Sequence, residues 1–335
     1  PLGLTKEEAT VGRMVSALRA LGFDYVFDTD FGADLTIMEE GSEFIEHMKG
    51  DRSEPMFTSG CPGWVRFVKM HYPQFVKNLS SSKSPHQMQG AVTKNTMKEK
   101  AGDKKIFNLS IMPCVAKKYE AAVPELATDA GQDVDCVLTV REFDRMLKMF
   151  DVNCKSLEET DFDRPLGEST GAGVIFGRTG GVMEAALRTA VYLMTNEEPD
   201  LKALDCTDAT PERPWVHKTL NVAGTEVNIA IASGLTNTAK LLDAVEAGEV
   251  NYDFIEIMAC PGGCAGGGGQ PIFFNRELAE CRGEILNTLD ENSKLRMSHE
   301  NPEVQQLYAD WVGEPLSHTA HEWLHTEQAD WQLEK

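Results

Sequence analysis

With 335 residues and 41% hydrophobic content, the chain is long enough for two ordinary domains or for one large α/β unit with two lobes. Its 53 Asp and Glu outweigh 32 Lys and Arg, and the formal net charge of -21 repels nucleic acid and anionic membranes, so neither is an expected partner. No apolar run reaches the ~20 residues of a bilayer span, the first residues carry no signal-peptide pattern, and eight scattered cysteines make a poor disulfide scaffold; a reducing, cytoplasmic setting with metal-bound thiolates is expected.

Val11, Met14, Val15, Leu18 and Leu21 recur at helical spacing, and Gly22 marks the stop. Phe23 to Phe27 is short, apolar and aromatic, the pattern of a buried strand. Ser42 to Met48 reads as a helix, with Glu40 and Glu43 near its first turn, where carboxylates complement the helix dipole. Met56 begins a short strand that runs into Cys61, and Pro62 stands where a helix can start, with Trp64, Val65, Phe67 and Val68 as its apolar face. A thiolate at that helix N-terminus is stabilised by the dipole. Ser84 to Ala101 is a polar, lysine-bearing helix expected to face solvent.

Lys105 to Met112 is a second apolar strand, ending on Pro113-Cys114. Val134 to Thr139 reads as another, and Thr139 and Glu142 are spaced as a capping box for a helix over Arg141 to Phe150. The glycine-rich segment Gly171 to Gly181 opens a helix over Val182 to Met194. Leu220 to Ala232 has two apolar halves around Ala223-Gly224-Thr225, the pattern of a hairpin. A helix over Leu235 to Ala247 follows, then a buried strand, Phe254 to Met258, that ends at Cys260.

In the stretch Glu256-Ile-Met-Ala-Cys-Pro-Gly-Gly-Cys-Ala-Gly-Gly-Gly-Gly-Gln-Pro271, Cys260 and Cys264 would share one face of a helical turn. Gly266 to Gly269 remove every Cβ beside them, which adds little packing but lets backbone N–H groups approach a bulky inorganic ligand. The bland alternative is a flexible glycine loop beside two buried thiols. Three strands, however, end at Cys61, Cys114 and Cys260, the convergence expected at the carboxyl ends of parallel strands in an open α/β sheet. With Cys264 they make four thiols at one rim, the number a cubane iron–sulfur cluster requires. Cys136, Cys154, Cys206 and Cys281 have no partner spacing and read as ordinary buried or surface cysteines.

Thr58-Ser59-Gly60-Cys61-Pro62-Gly63-Trp64, Met112-Pro-Cys114-Val-Ala-Lys117-Lys-Tyr-Glu120 and Glu256-Ile-Met258-Ala-Cys260-Pro-Gly-Gly-Cys264 resemble the three signatures of the iron-only (FeFe) hydrogenases. The resemblance extends through Gly173-Val-Ile-Phe-Gly177 and Thr179-Gly-Gly-Val-Met-Glu-Ala-Ala-Leu-Arg188. It implies an α/β fold, with two lobes of mainly parallel sheet flanked by helices and a metal cluster between them in residues 1–275. Residues 276–335 would form a helical wrap similar to the hydrogenase small subunit, marked by Ser298-His-Glu-Asn-Pro302 and by His318 to His325, whose histidines are expected to be structural.

The cofactor so implied is the H-cluster, a 4Fe-4S cubane joined to a diiron subcluster with CO, CN and azadithiolate ligands. Cys61, Cys114, Cys260 and Cys264 would hold the cubane, with Cys264 bridging to the diiron unit. Lys117 would hydrogen-bond a cyanide. Met112 and Met258 would pack beside the diiron unit, although each reads equally well as ordinary core. The implied activity is reversible hydrogen oxidation and proton reduction, with Glu40, Ser80 and Glu43 carrying protons. Implied partners are hydrogen and protons, a ferredoxin or cluster-bearing redox subunit, and maturation proteins.

Two departures qualify the resemblance. Family members usually carry a cysteine, the first proton relay, where this chain has Gly60, so turnover is expected to be slow while cluster binding is spared. The strand that commonly precedes the first helix, and the ferredoxin-like domains, have no counterpart in this chain. Two other readings stay open: a sensory protein that binds hydrogen with little turnover, and a non-catalytic iron–sulfur assembly relative that lacks the diiron site. Met112, Lys117, Met258 and the glycine run favour the first of these over the second.

Overall fold

The computed structural model describes residues 4–5, 8–222, 224–273 and 278–328. Pro1 to Gly3, Lys6 and Glu7 at the start, Ala223 in the hairpin, Arg276 and residues 329–335 of the C-terminal extension lie outside the described residues.

Helix α1 (Val11–Ala20) is capped by the Thr10 hydroxyl, and the chain leaves it through Gly22 at a φ of +93°. Phe23 to Phe27 is not a strand. It runs as an irregular loop with Tyr25 exposed and stacked on Phe27, and its Val26 backbone is satisfied by Asp163, through the side chain at 2.7 Å and the N–H at 2.9 Å, in place of a strand ladder. Helix α2 (Thr29–Lys49) begins at Thr29 rather than Ser42, capped by Asp28. Phe31, Leu35, Ile37 and Phe44 are fully buried along it, so it crosses the interior. Glu40 is therefore buried and Glu43 partly buried in mid-helix, not in the first turn of α2. A helix packed on nearly all sides shows no amphipathic stripe, which is why its length escapes a periodicity reading.

Strand β1 (Met56–Phe57) leads to α3 (Pro62–His71), with Pro62 at the first helical position. Helix α4 (Pro85–Thr96) and the short α5 (Lys98–Ala101) replace the expected solvated helix, and α4 is buried from His86 to Lys94. Its polarity is internally satisfied: Lys94 pairs with Asp135 at 2.8 Å, and Lys83 just before it pairs with Asp133 at 3.0 Å.

Strand β2 (Leu109–Met112), shorter than its apolar run, pairs in parallel with β3 (Cys136–Thr139) across α6 (Ala116–Glu120). The capping box forms at α7 (Val140–Met149), where the Thr139 hydroxyl accepts from the Glu142 N–H at 3.2 Å and the Glu142 carboxylate accepts from the Thr139 N–H at 2.8 Å. Next come α8 (Gly171–Val174) and α9 (Gly181–Thr195), and then the hairpin of β4 (Val216–Val222) and β5 (Thr225–Ser233). After α10 (Leu235–Glu246), β6 (Phe254–Met258) completes a four-stranded sheet in the order β1-β6-β5-β4, parallel except for β4.

The cysteine-bearing strands thus lie in two sheets rather than one open sheet, β1 and β6 side by side and β2 in the other lobe. Alternation on the larger sheet builds two cores. Ile229, Ile231 and Phe254 pack with Phe44, Met183 and Leu187 of α2 and α9, whereas Ala230, Ala232, Ile255 and Ile257 pack with Trp64, Val68 and Leu241 of α3 and α10. The C-terminal segment adds α11 (Ala279–Asn292), α12 (Pro302–Leu307) and α13 (His318–Leu324), with a π turn at Tyr308–Val312. It is fastened to α2 through fully buried Asp34, which accepts from Ser298 at 2.8 Å, from Asn301 at 2.9 Å and from the Thr170 hydroxyl at 2.6 Å. The Ser298-His-Glu-Asn-Pro302 marker is a structural clasp, and its His299 stacks on Tyr192 at 3.9 Å.

Candidate metal centre

The four cysteines at the strand ends are gathered in one place. Cys61, Cys114 and Cys260 all stand close enough to Cys264 for their charges to act on its thiol, and none of the four is in a disulfide. Burial pushes the Cys61 thiol up, against the pull of the Ala259 and Trp64 N–H groups. Burial and the other three sulfurs push Cys264 far up. Half-buried thiols crowded so that they cannot ionise together in isolation are the donor set a cationic cluster stabilises. Among the described residues no three His, Cys, Asp or Glu side chains are close enough to hold a single ion.

Cys260 and Cys264 do not share a helical turn. Gly262 and Gly263 take φ of +78° and +75°, and a 3₁₀ turn over Gly263–Gly266 carries Cys264. A Cβ at Gly263 would fall 2.7 Å from the Thr179 backbone nitrogen, so only glycine fits there. The glycine run packs more than its composition suggests. The Gly269 N–H donates to the Pro113 carbonyl at 2.7 Å, and a Cβ at Gly267 would lie 2.2 Å from that oxygen. The missing side chains therefore let the Cys264 loop close on the Cys114 loop, joining the two lobes at the thiols.

Gly60, Cys61, Met112, Lys117, Met258 and Cys264 all line one cavity of about 1450 Å³, room enough for a bulky group. Lys117 is held at its edge, donating to Glu120 Oε2 at 2.9 Å and to the Gly60 carbonyl at 3.1 Å. Glu120 also accepts from Ser84 at 2.9 Å and bonds His86 Nε2. Burial alone would raise Glu120, but Lys117 and His86 outweigh it and hold the carboxyl at about 2. Sequence reasoning missed Glu120 and His86. The i,i+3 spacing of Lys117 and Glu120 was the available signal for one, whereas His86 was hidden in a helix read as solvated.

Glu40, Ser80 and Glu43 come together on the far side. Glu40 lines the cavity and accepts from the Ser59 N–H at 3.2 Å. Its Oε2 is buried without a strict hydrogen-bond partner, and the Ser80 hydroxyl bears on the carboxyl. Ser80 donates to Glu43 Oε2. Glu43 and Ser80 line a second hollow of about 490 Å³ with His47, Asp51 and Lys77. Burial and the charge of Glu43 push Glu40 up to about 8. Burial would raise Glu43 too, but His325 and the hydroxyls of Ser80 and Ser81 hold it below the usual range. His325, not assigned from the sequence to this region, is pushed up to about 9: burial opposes its charge, and Glu39 and Glu43 more than offset that.

A histidine raised in the folded state contributes stability that is complete below its unfolded pKa, ~6.5, and is lost as pH rises through its folded value. The unfolding free energy of the whole chain should therefore fall between pH 6.5 and about 9, by on the order of 3 kcal/mol from this group. Urea titrations in that window should show a flatter slope for His325→Gln. An identical slope would show that the ring carries no such charge.

A model described as the iron-only hydrogenase large subunit, C-terminal domain, matches residues 1–268, and one for the iron hydrogenase small subunit matches residues 276–329. The NADP-reducing hydrogenase subunit HndD of Solidesulfovibrio fructosivorans is 46% identical over 334 residues, covering 97% of this chain but 57% of its own length. The chain thus spans little more than half of that relative. A solved structure of HydA described as showing stepwise [FeFe]-hydrogenase H-cluster assembly is 40% identical, with a TM-score of 0.84 over 97% of this chain and 89% of that one. Protein NAR1 of Arabidopsis thaliana is similar at 30% identity, over 94% of this chain and 72% of its own length.

Proposed function

Because the chain belongs to the iron-only hydrogenase family, we propose that its cavity holds an H-cluster and that the protein interconverts hydrogen with protons and electrons. The observation that carries this reading is the gathering of four thiols around Cys264, at a cavity of about 1450 Å³ that Cys61, Cys264, Lys117, Met112 and Met258 line. Cys61, Cys114, Cys260 and Cys264 would hold the cubane, with Cys264 shared with the diiron subcluster. When bound, the cofactor supplies the metal site at which hydrogen is formed or split.

The chain's own residues orient, exclude water and move protons. Glu120, through both carboxylate oxygens, and the Gly60 carbonyl fix the Lys117 ammonium on the cavity wall, where its charge would hold an anionic ligand such as cyanide. Met112 and Met258, 8% and 5% exposed, give the cavity a soft apolar lining. Glu40 on the cavity, Ser80, and Glu43 on the outer hollow form a proton route between the two spaces. A ferredoxin or a cluster-bearing redox subunit would carry the electrons, and maturation proteins would supply the diiron unit. A sensory role with little turnover is favoured by one observation, the lack of any side chain at Gly60. An assembly relative without a diiron site would have no use for Lys117 or the methionine lining.

Infrared spectra of the maturated chain test this directly: carbonyl and cyanide bands are expected, and a cubane without such bands would overturn it. Lys117→Ala should retain cubane iron but lose diiron bands, because a charge-assisted bond in a dry pocket is worth about 1.5–3 kcal/mol. Bands of undiminished intensity and position in that variant would count against the role given to Lys117.

A further inference from the structure

The outer end of this proton route is shared with the C-terminal segment. Glu39, beside Glu40 on α2, accepts from the Tyr308 hydroxyl, from the Leu316 N–H at 2.8 Å and from His325 Nε2 at 2.9 Å. The ring so fixed sets Nδ1 2.8 Å from Ser81 Oγ and 3.6 Å from Glu43 Oε1. A hydrogen count then decides its protonation. Ser81 has one hydroxyl hydrogen and donates it to Glu43 Oε1, so its oxygen accepts from Nδ1, while Nε2 faces a carboxylate that also accepts. With Glu39 and Glu43 ionised, both ring nitrogens face acceptors, and the imidazolium is the form that satisfies them.

We propose that His325 is a positioning residue of the proton route, an imidazolium that keeps Glu43 ionised as the outward acceptor for the proton Glu40 releases through Ser80. This rests on the hydrogenase reading above. The step balances: the Glu40 carboxyl hydrogen passes to Ser80 Oγ while the Ser80 hydroxyl hydrogen passes to Glu43 Oε2, leaving Glu40 ionised, Glu43 neutral and Ser80 unchanged. Glu43 then gives its proton to water in the outer hollow, and Glu40 takes the next from the cavity. Such a relay works only if one carboxyl starts full and the other empty, which two similar buried carboxyls would not do unaided.

The groups around the pair supply that difference. Glu40 is faced by Glu43, Ser59, Ser80 and, from β6, Glu256; Glu43 is faced by Ser80, Ser81, Ser82 and His325. His325 itself is faced by Glu39 and Glu43 from α2, Ser81, and the His321 ring of α13 at 4.6 Å. His47 and Lys77 line the same outer hollow as Glu43, and His325 is the cation that stands in ion-pair contact with it, at 3.6 Å. A histidine serving only to anchor the segment would do so through Glu39, as Tyr308 does, and would not need to face Glu43.

Infrared titration of the carboxyl bands in the whole chain tests the assignment, with the Glu43 band identified by its loss in Glu43→Gln. His325→Gln should raise the Glu43 midpoint by at least about one unit, and Tyr308→Phe, which loosens the same anchor without removing charge, should leave it in place. An unmoved midpoint in His325→Gln, or an equal shift in Tyr308→Phe, would overturn the proposal. If His325→Gln does not fold, the linkage is read from the other side: the His325 ring resonances in Glu43→Gln should titrate at least about one unit lower, and an unchanged midpoint overturns it equally. Glu40→Gln in the loaded protein separates the two readings. Undiminished turnover there sinks the route and with it the role of His325, whereas slowed turnover without coupling between Glu43 and His325 sinks the role alone.

Discussion

Cys114→Ala should leave the chain folded but with iron content near background, and with no hydrogen turnover after maturation. Cys114 stands at the end of β2, and the loop that carries it is held by backbone contacts: the Gly269 N–H on the Pro113 carbonyl at 2.7 Å and the parallel ladder from Leu109 to Met112. None of these uses the thiol, so alanine removes a ligand without removing the loop's support. Three thiolates remain around a cluster that needs four, and Lys117, already paired with Glu120, is no substitute donor. Cys136→Ala in the neighbouring strand β3 serves as the control, since Cys136 is outside the group acting on Cys264, and it should keep full iron. Full iron occupancy with unchanged turnover in Cys114→Ala would rule out its assignment as a ligand.

The site was legible where the signal was local. A strand running into Cys61-Pro62, the Thr139 and Glu142 box, the hairpin around Gly224 and a run of glycines beside Cys264 each state their geometry within a few residues, and the structure shows these features. What escaped depended on contacts distant along the chain. Helix α2 is enclosed by two cores and the C-terminal segment and buries Asp34, Glu39 and Glu40 along with its apolar residues, so no stripe revealed its true start at Thr29. Helix α4 looked solvated because its polar side chains find partners indoors, as Lys94 does in Asp135. Glu39 and His325 are separated by 286 residues, and nothing near either announces the other. The glycine run was read as clearance for a ligand, but part of that clearance is taken by the Pro113 backbone.

Position 60 puts a different kind of question, because there the feature of interest is an absence. Glycine is not required by the backbone: Gly60 has no left-handed φ, and a Cβ there would meet only Pro85 Cδ at 3.8 Å, an ordinary contact. Its carbonyl accepts from Lys117, an interaction any residue could supply. The site therefore tolerates a side chain and lacks one, next to Glu40, the inner end of the proposed route.

Gly60→Cys should raise hydrogen turnover by at least about tenfold at matched diiron occupancy, since a positioned proton-transfer group contributes about 10²- to 10⁴-fold. The cavity offers no evident replacement in Thr36, whose hydroxyl lines the same wall but donates to the Gly32 carbonyl at 2.9 Å. Gly60→Ala fits the same space without a transferable proton and should leave the rate unchanged, which separates proton relay from mere filling of the cavity. The competing account is that ordered water beside Gly60 bridges to Glu40 as well as a thiol would. Equal rates for the parent and Gly60→Cys would establish that account, and an equal gain in Gly60→Ala would show that packing rather than proton transfer limits the parent. A gain confined to cysteine, and abolished by adding Glu40→Gln, would place the slow step between the cavity and Glu40.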